Sequence, residues 1–385
     1  MRHPLRTSLV ATAFALGLAA TAAHAQGAAV SLLYDPSIRA AGMGGAGSAV
    51  FWGGDANVWA NPALLGYACG LRFERGRTRL LPGLADDVWF DTERHTIGGG
   101  GLGVAMTGKP DGIGRTLLDY GGDGYHGYEH AASWSVGASA AGLASTLWRW
   151  RGAEPPAFTR YADLAFGVSR KEVRVVLGPW GSAHAAQHDW GLLARVTALD
   201  NSRRGARPNV PLRLDAAYAH SVVNAADATI RFTGEDLISP IYRLFFNGIA
   251  VRGEMGLPAA ARSRFERAPW LAESFEPLLS LGLSCDLEHA QAGDYADNGY
   301  DVRHLGAELT VANLLTVRGG HLEDKTGGIS GATLGWGLGF RAGRYAGFRY
   351  DYGTRPQASG LQDVKRRGWT AFLDIAALAR AGNTP

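Results

Sequence analysis

Hydrophobic and polar positions alternate along much of the chain, most clearly in its last third. From 304 to 311, Leu305, Ala307, Leu309 and Val311 share one face, and His304, Gly306, Glu308 and Thr310 share the other. From 331 to 340, Ala332, Leu334, Trp336, Leu338 and Phe340 oppose Thr333, Gly335, Gly337 and Gly339. Ala346, Phe348, Tyr350 and Tyr352 oppose Gly347, Arg349 and Asp351, and Trp369, Ala371, Leu373, Ile375 and Ala377 oppose Thr370, Phe372, Asp374 and Ala376. Successive side chains of a strand point to opposite faces, so each run is predicted to be a strand with one apolar and one polar or glycine face. Helical periodicity is scarce.

Two architectures use such strands. A soluble sandwich turns the apolar faces into a core; a transmembrane antiparallel β-barrel turns them to lipid and its polar faces to the lumen. Trp148, Trp150, Tyr161, Tyr350, Tyr352 and Trp369 stand near expected strand ends, where interfacial girdles belong. Short turns near Asn313 and Gly343 alternate with longer polar connections at 289–299, 322–330 and 354–366. A periplasmic C-terminus puts these three outside. Strands at 161–169, 173–178 and 189–199 give no consistent parity with 210–222, and the connection 254–275 is long enough to carry a helix. At ~22 residues per strand and connection, the chain makes about 14 strands.

The first residues favour the barrel. Arg2, His3 and Arg6 precede an apolar run from Leu9 to Ala23, closed by Ala23-His24-Ala25. This is the pattern of a secretory signal cleaved near Ala25. Removing it lowers the formal charge from +3 to +1, and the balance argues against a nucleic-acid partner. Glycine, at 54 of 385 residues, is about twice its ordinary usage, and it concentrates on the polar strand faces. Cys69 and Cys285 fall in apolar strand patterns and read as two small buried hydrophobes; a disulfide between them is permitted outside the cytoplasm. The expected divisions are a signal (1–25), an N-terminal hatch inside the barrel (26–66), the barrel (67–378) and a C-terminal tail (379–385).

Residues 39–66 read RAAGMGGAGSAVFWGGDANVWANPALLG. Gly42, Gly44 and Gly47 match G-x-G-x-x-G, but a dinucleotide site needs a βαβ unit and an acidic residue about 20 positions on, and Asn61 stands in that region. Small residues that pack backbone closely in a confined space fit better. Asn61 and Pro62 suit a helix N-cap and first turn. Arg39-Ala40-Ala41-Gly42-Met43-Gly44-Gly45-Ala46, then Asp55, then Asn61-Pro62-Ala63, resembles the mature start of PorV/PorQ-type proteins, which belong with the FadL-like outer-membrane long-chain fatty-acid transporters. The resemblance continues through 304–340 and Phe348-Arg349-Tyr350-Asp351-Tyr352. It implies a barrel of about 14 strands with residues near 30–65 folded inside. Arg39, Gly42, Gly44, Gly45, Phe51, Trp52, Asp55, Trp59, Asn61 and Pro62 are the expected hatch and ligand residues.

Carried along the chain, the alternation sends Asp163, Arg213, Asp215, Asp227, Arg231, Asp286, Glu288, Glu308, Arg318, Arg349, Asp351 and Asp374 to the polar face. They are either a polar pathway or ion pairs bracing the lumen against the hatch, since buried charge must be paired or hydrated. His184 and His188 have the i, i+4 spacing of helical metal ligands but lie in a Gly/Ala/Ser stretch that reads as a solvated connection. His126 and His130 read as rim residues. G-x-S-x-G and H-E-x-x-H are absent, and neither enzyme nor cofactor is expected. Two functions remain in view at the bacterial outer membrane: a channel admitting small hydrophobic molecules, and an accessory of type IX secretion that binds cargo or a translocon. A non-transporting structural barrel is a third.

Overall fold

The computed structural model describes residues 29–53, 56–108, 115–120, 127–178, 181–201, 209–226, 229–233, 238–265, 267, 269–292, 295–324, 328–375 and 377. The expected signal, the tail, Asp55, His126 and Asp227 lie outside them. Two short helices come first, α1 (Val30–Leu33) and α2 (Ile38–Gly42), then a 3-10 turn over Pro62–Tyr67. The strands follow: β1 (Gly70–Leu81), β2 (Ala85–Gly99), β3 (Leu102–Thr107), β4 (Arg115–Tyr120), β5 (Gly127–Ser139), β6 (Ala162–Leu177), β7 (Ser182–Asp200), β8 (Leu212–Val223), β9 (Thr229–Arg231), β10 (Ile238–Pro240), β11 (Tyr242–Met255), β12 (Leu279–Ala292), β13 (Tyr295–Val311), β14 (Leu315–Asp324), β15 (Ser330–Ala342), β16 (Ala346–Arg355) and β17 (Val364–Leu373). Three helices join strands: α3 (Ala140–Trp150), α4 (Ala259–Arg262) and α5 (Pro269–Ser274). No described helix is long and apolar enough to cross a membrane.

Every wall pairing is antiparallel, and β17 pairs with β1, so the sheet closes. β3 and β4 both lie between β2 and β5 and share one place in the ring, which makes a 14-strand barrel; β9 and β10 form a separate ribbon. The shared place is unusual. Thr107 pairs with Arg94, and Arg115 pairs with the next residue of β2, Glu93. On this side β2 therefore changes partner from β3 to β4 between neighbouring rungs.

Alternation decides the two faces. In β6 Leu164, Phe166 and Val168 are exposed, while Asp163, Ala165, Ser169 and Lys171 are buried. Leu281, Leu283 and Leu287 of β12, Val317 of β14 and Leu334, Leu338 and Phe340 of β15 extend the outer belt. So broad a ring of exposed aliphatic side chains on a closed barrel is a lipid-facing surface. No second sheet covers Leu334, Leu338 or Leu373, which removes the sandwich.

The rim holding the start of β1 and the end of β17, the lower rim, carries the turns at 312–314 and 343–345 and the helix-bearing connection after β11. The opposite, upper rim carries the connections expected outside. Several expectations are corrected. The segments expected at 161–169 and 173–178 merge into a single strand, β6 (Ala162–Leu177), because the charged run Arg170-Lys171-Glu172 keeps its alternation instead of turning. His184 and His188 lie within β7 on its outward face, not in a connection. Trp148 and Trp150 lie on α3, whose N-cap Ser139 accepts from Gly142 N, and not at a strand end. Cys69 and Cys285 are free thiols; Cys69 precedes β1 and is exposed, and Cys285 is half-buried on the outward side of β12.

Candidate functional site

Residues 29–68 lie against the inward faces of the wall, and two contrasting surfaces receive them. The first is a row of glycines. Gly98, Gly103, Gly137, Gly167 and Gly191 stand opposite one another across β2, β3, β5, β6 and β7. Against this row sits the Pro62–Tyr67 turn. A Cβ on Gly103 would come within 2.2 Å of Leu65 O, on Gly167 within 2.3 Å of the Pro62 carbonyl carbon, and on Gly191 within 2.0 Å of Asn61 Oδ1. Any side chain there would drive the segment off the wall. Asn61 fastens the turn: its Oδ1 accepts from Ala63 N, and its Nδ2 donates to Ser48 O at 3.0 Å and Leu192 O at 3.2 Å. Pro62 begins the turn without a donor to lose.

The second surface is charged. Arg39, on α2, donates from Nε to Glu308 Oε2 at 2.8 Å and from Nη2 to Oε1 at 2.5 Å. Arg318 Nε donates to the same carboxylate at 2.7 Å, and Trp52 Nε1 does so at 3.0 Å. Arg318 Nη1 reaches Asp351 Oδ1 at 2.6 Å, and Arg349 Nε takes the other oxygen, also at 2.6 Å. All but Arg349 of these charged side chains are buried. Each carboxylate thus holds two guanidiniums, and the charge-assisted bonds between them offset the cost of leaving water. The chain crosses this region on Gly42, Gly44 and Gly45. Gly44 has φ +69°, and a Cβ there would lie 2.5 Å from the carbonyl oxygens of both Leu305 and His321. Asp286 accepts from Gly47 N and Ser48 N, each at 2.8 Å. His304 Nδ1 donates to Gly44 O at 2.7 Å, and its Nε2 meets Glu288 Oε2 at 2.9 Å.

Other expected polar-face residues scatter. Asp163 accepts from Ser139 Oγ and Ala141 N, anchoring α3 beneath the barrel. Burial, and then the nearby Asp163 carboxylate, push the Tyr67 phenol well above its usual range. Arg213 and Thr197 both bond Asp215. Two residues are displaced: Arg231 is exposed on the β9–β10 ribbon, because its strand is not part of the wall, and Asp374 lies past the end of β17, where it accepts from Cys69 Sγ and Ala377 N. Phe51 packs edge-on to Trp52 and beside Tyr67.

Sequence reading missed a third contact. Lys171 Nζ lies 2.8 Å from Asp189 Oδ2, wholly buried, and 4.2 Å from the Trp59 ring centre. Lys171 has the parity of Asp163, so one unbroken strand from 162 to 177 would have exposed it. Glu129, which accepts from Ser31 N at 2.7 Å, and Arg366, which donates to Asp35 O at 2.6 Å, were also missed.

Open space remains beside the segment. A cavity of about 230 Å³ lies between residues 30–60 and the inner wall of β11–β14. Tyr34, Trp59, Leu244, Phe246, Tyr300 and Val302 give it an apolar lining, with Glu288, His304 and Arg355 as polar points. A space of about 50 Å³ beside Ile38 and Arg39 reaches Thr107, the last residue of β3. The cleft at Phe51 and Trp52 is about 10 Å³, too small for a ligand.

No family model matches the chain, and neither does any curated protein. Solved structures do. The Ralstonia pickettii toluene transporter TbuX is 12% identical over 88% of this chain and 98% of its own, with a TM-score of 0.46. A Pseudomonas aeruginosa FadL homologue is 11% identical over 88% and 98%, at 0.39. CdiB from Acinetobacter baumannii is 8% identical over 79% of this chain and 60% of its own, at 0.38. At these identities and scores the likenesses carry no functional conclusion for this chain.

Proposed function

We propose that this chain is an outer-membrane channel for small hydrophobic molecules, with residues 29–68 as the hatch that shapes its path. The carrying observation is the cavity between hatch and wall. A predominantly apolar site with a few convergent polar groups is the form of a small-ligand pocket, and this one is bounded on one side by the hatch itself, at Tyr34 and Trp59. The upper rim, with its ribbon and long connections, faces outside, and the lower rim faces the periplasm. The hand-over from β3 to β4 supports a route through the wall, since among the described residues Arg94 and Glu93 are the neighbouring rungs where β2 changes its partner on this side. No specific observation favours the secretion-accessory reading.

The test is uptake of radiolabelled toluene and of oleate by intact cells. Deletion lowers uptake of at least one of them, the wild-type chain restores it, and Phe246→Arg, which fills the cavity with charge, does not. Uptake unchanged by deletion, for both probes, would sink the reading.

A further inference from the structure

The lipid-facing belt has a notch at the seam where the barrel closes. On β15 the outward positions stay apolar from Phe340 through Leu338 and Trp336 to Leu334. On β1 only Leu71 and Phe73 are apolar before Arg75, Arg77 and Arg79 follow; on β17, Leu373, Ala371 and Trp369 give way to Arg367 and Lys365. Register sets Arg77 directly opposite Arg367, and Arg75 opposite Trp369. Like charges facing each other across a strand pair repel. Asp91, 3.4 Å from Arg77, balances one of them, while Glu93 is engaged by His95 at 3.0 Å. Glu93 stands opposite Arg75 on β2, but among the described residues no carboxylate makes an ion pair within 4 Å with Arg75, Arg367 or Lys365, and all three are exposed.

Directly below lies an outward groove of about 520 Å³, lined by Leu71, Phe73, Ile97, Val104, Met106 and Leu373 among others. Trp369 stands at the junction, its ring 4.9 Å from Phe73 and 5.8 Å from Phe348. Unbalanced cations above an acyl-sized apolar groove, on the same strands, match one kind of molecule. We propose that this seam binds a phosphorylated glycolipid of the outer leaflet, its phosphates held by Arg75, Arg77, Arg367 and Lys365 and an acyl chain lying in the groove. Guanidiniums bond phosphate oxygens bidentately, and the phosphate removes the repulsion between Arg77 and Arg367. The inference rests on the membrane reading above, but not on transport.

The experiment is native mass spectrometry of the delipidated full chain in detergent micelles, titrated with diphosphoryl lipid A, phosphatidylglycerol or inorganic phosphate. One lipid A per barrel is expected, with phosphatidylglycerol at least tenfold weaker and inorganic phosphate not retained. The double variant Arg77→Gln/Arg367→Gln loses tenfold or more of the lipid A affinity. Arg170→Gln, which removes one outward charge on β6 that already has Glu172 as its partner, leaves the affinity unchanged. Heat-modifiable gel migration reports whether each variant is folded. If the double variant does not fold, Lys365→Gln alone serves, with about a threefold loss expected. Equal lipid A binding by the wild type and the folded variant overturns the site. So does equal binding of phosphatidylglycerol, or retention of phosphate without lipid. Uptake is not measured here, so these outcomes leave the channel proposal standing, whereas a chain that folds without any detergent strikes at the membrane itself.

Discussion

The two surfaces that receive the N-terminal segment solve one problem in opposite ways. Across β2–β7 the wall has given up its side chains, and backbone lies on backbone along the row from Gly98 to Gly191. Across β13–β16 the wall keeps large charged groups, and Glu308 and Asp351 gather three arginines. The glycine side specifies position by exclusion: a Cβ at Gly103, Gly137 or Gly167 would overlap the Pro62–Tyr67 turn. The charged side specifies it by satisfaction, since Arg39 and Arg318 lose their counter-charge if the segment or the wall moves.

Four substitutions separate these modes. The largest effect is expected at Glu308→Ala, which leaves Arg39 and Arg318 buried without their shared carboxylate. Breaking one partner out of a buried pair costs about 3–5 kcal/mol, read as a drop in the urea midpoint of the folded, heat-modifiable band; an unchanged midpoint means the charges are hydrated. Next comes the outer face. Leu338→Arg, at an exposed mid-strand position, is expected to cost about 2–4 kcal/mol of folding into bilayers, while Ser359→Arg, in an exposed upper connection, costs about nothing. Equal effects would remove the lipid belt. Gly167→Ala tests the glycine side, since its Cβ must overlap Pro62; overpacking of this kind costs about 1–3 kcal/mol. Gly253→Ala, with open space around it, is the matched control and should behave as wild type. The smallest loss, about 1 kcal/mol, is expected for Asn61→Ala, which removes a cap. Protease accessibility of residues 43–60 should rise in this variant before global stability falls.

The barrel was legible because its C-terminal hairpins alternate cleanly. Leu334, Trp336 and Leu338 against Thr333, Gly335 and Gly337 leave one assignment of faces. β6 and β7 were not, because their outward faces are themselves polar near the upper rim. Arg170 and Glu172 pair with each other there, and His184 and His188 face outward, so charge no longer marks the inside. The packing character of residues 39–66 could be read, since Gly42, Gly44 and Asn61 announce tight backbone. Its docking could not: Arg39 meets Glu308 across 269 positions, and nothing local encodes that separation. The seam was overlooked for a related reason. Arg77 and Arg367 become neighbours only when the first wall strand meets the last.

The shared grip on Glu308 also orders events in time. Arg39 and the Gly42–Gly45 bend make their bonds to β13 and β15, which are synthesised long after them. These bonds must therefore wait until β13 and β15 exist, and closing so long a loop is slow compared with forming neighbouring hairpins. A helper that shields those residues from wandering, or a wall that captures the Pro62–Tyr67 turn first on β5–β7, would shorten the wait, and the row of glycines lies on the strands that emerge earliest.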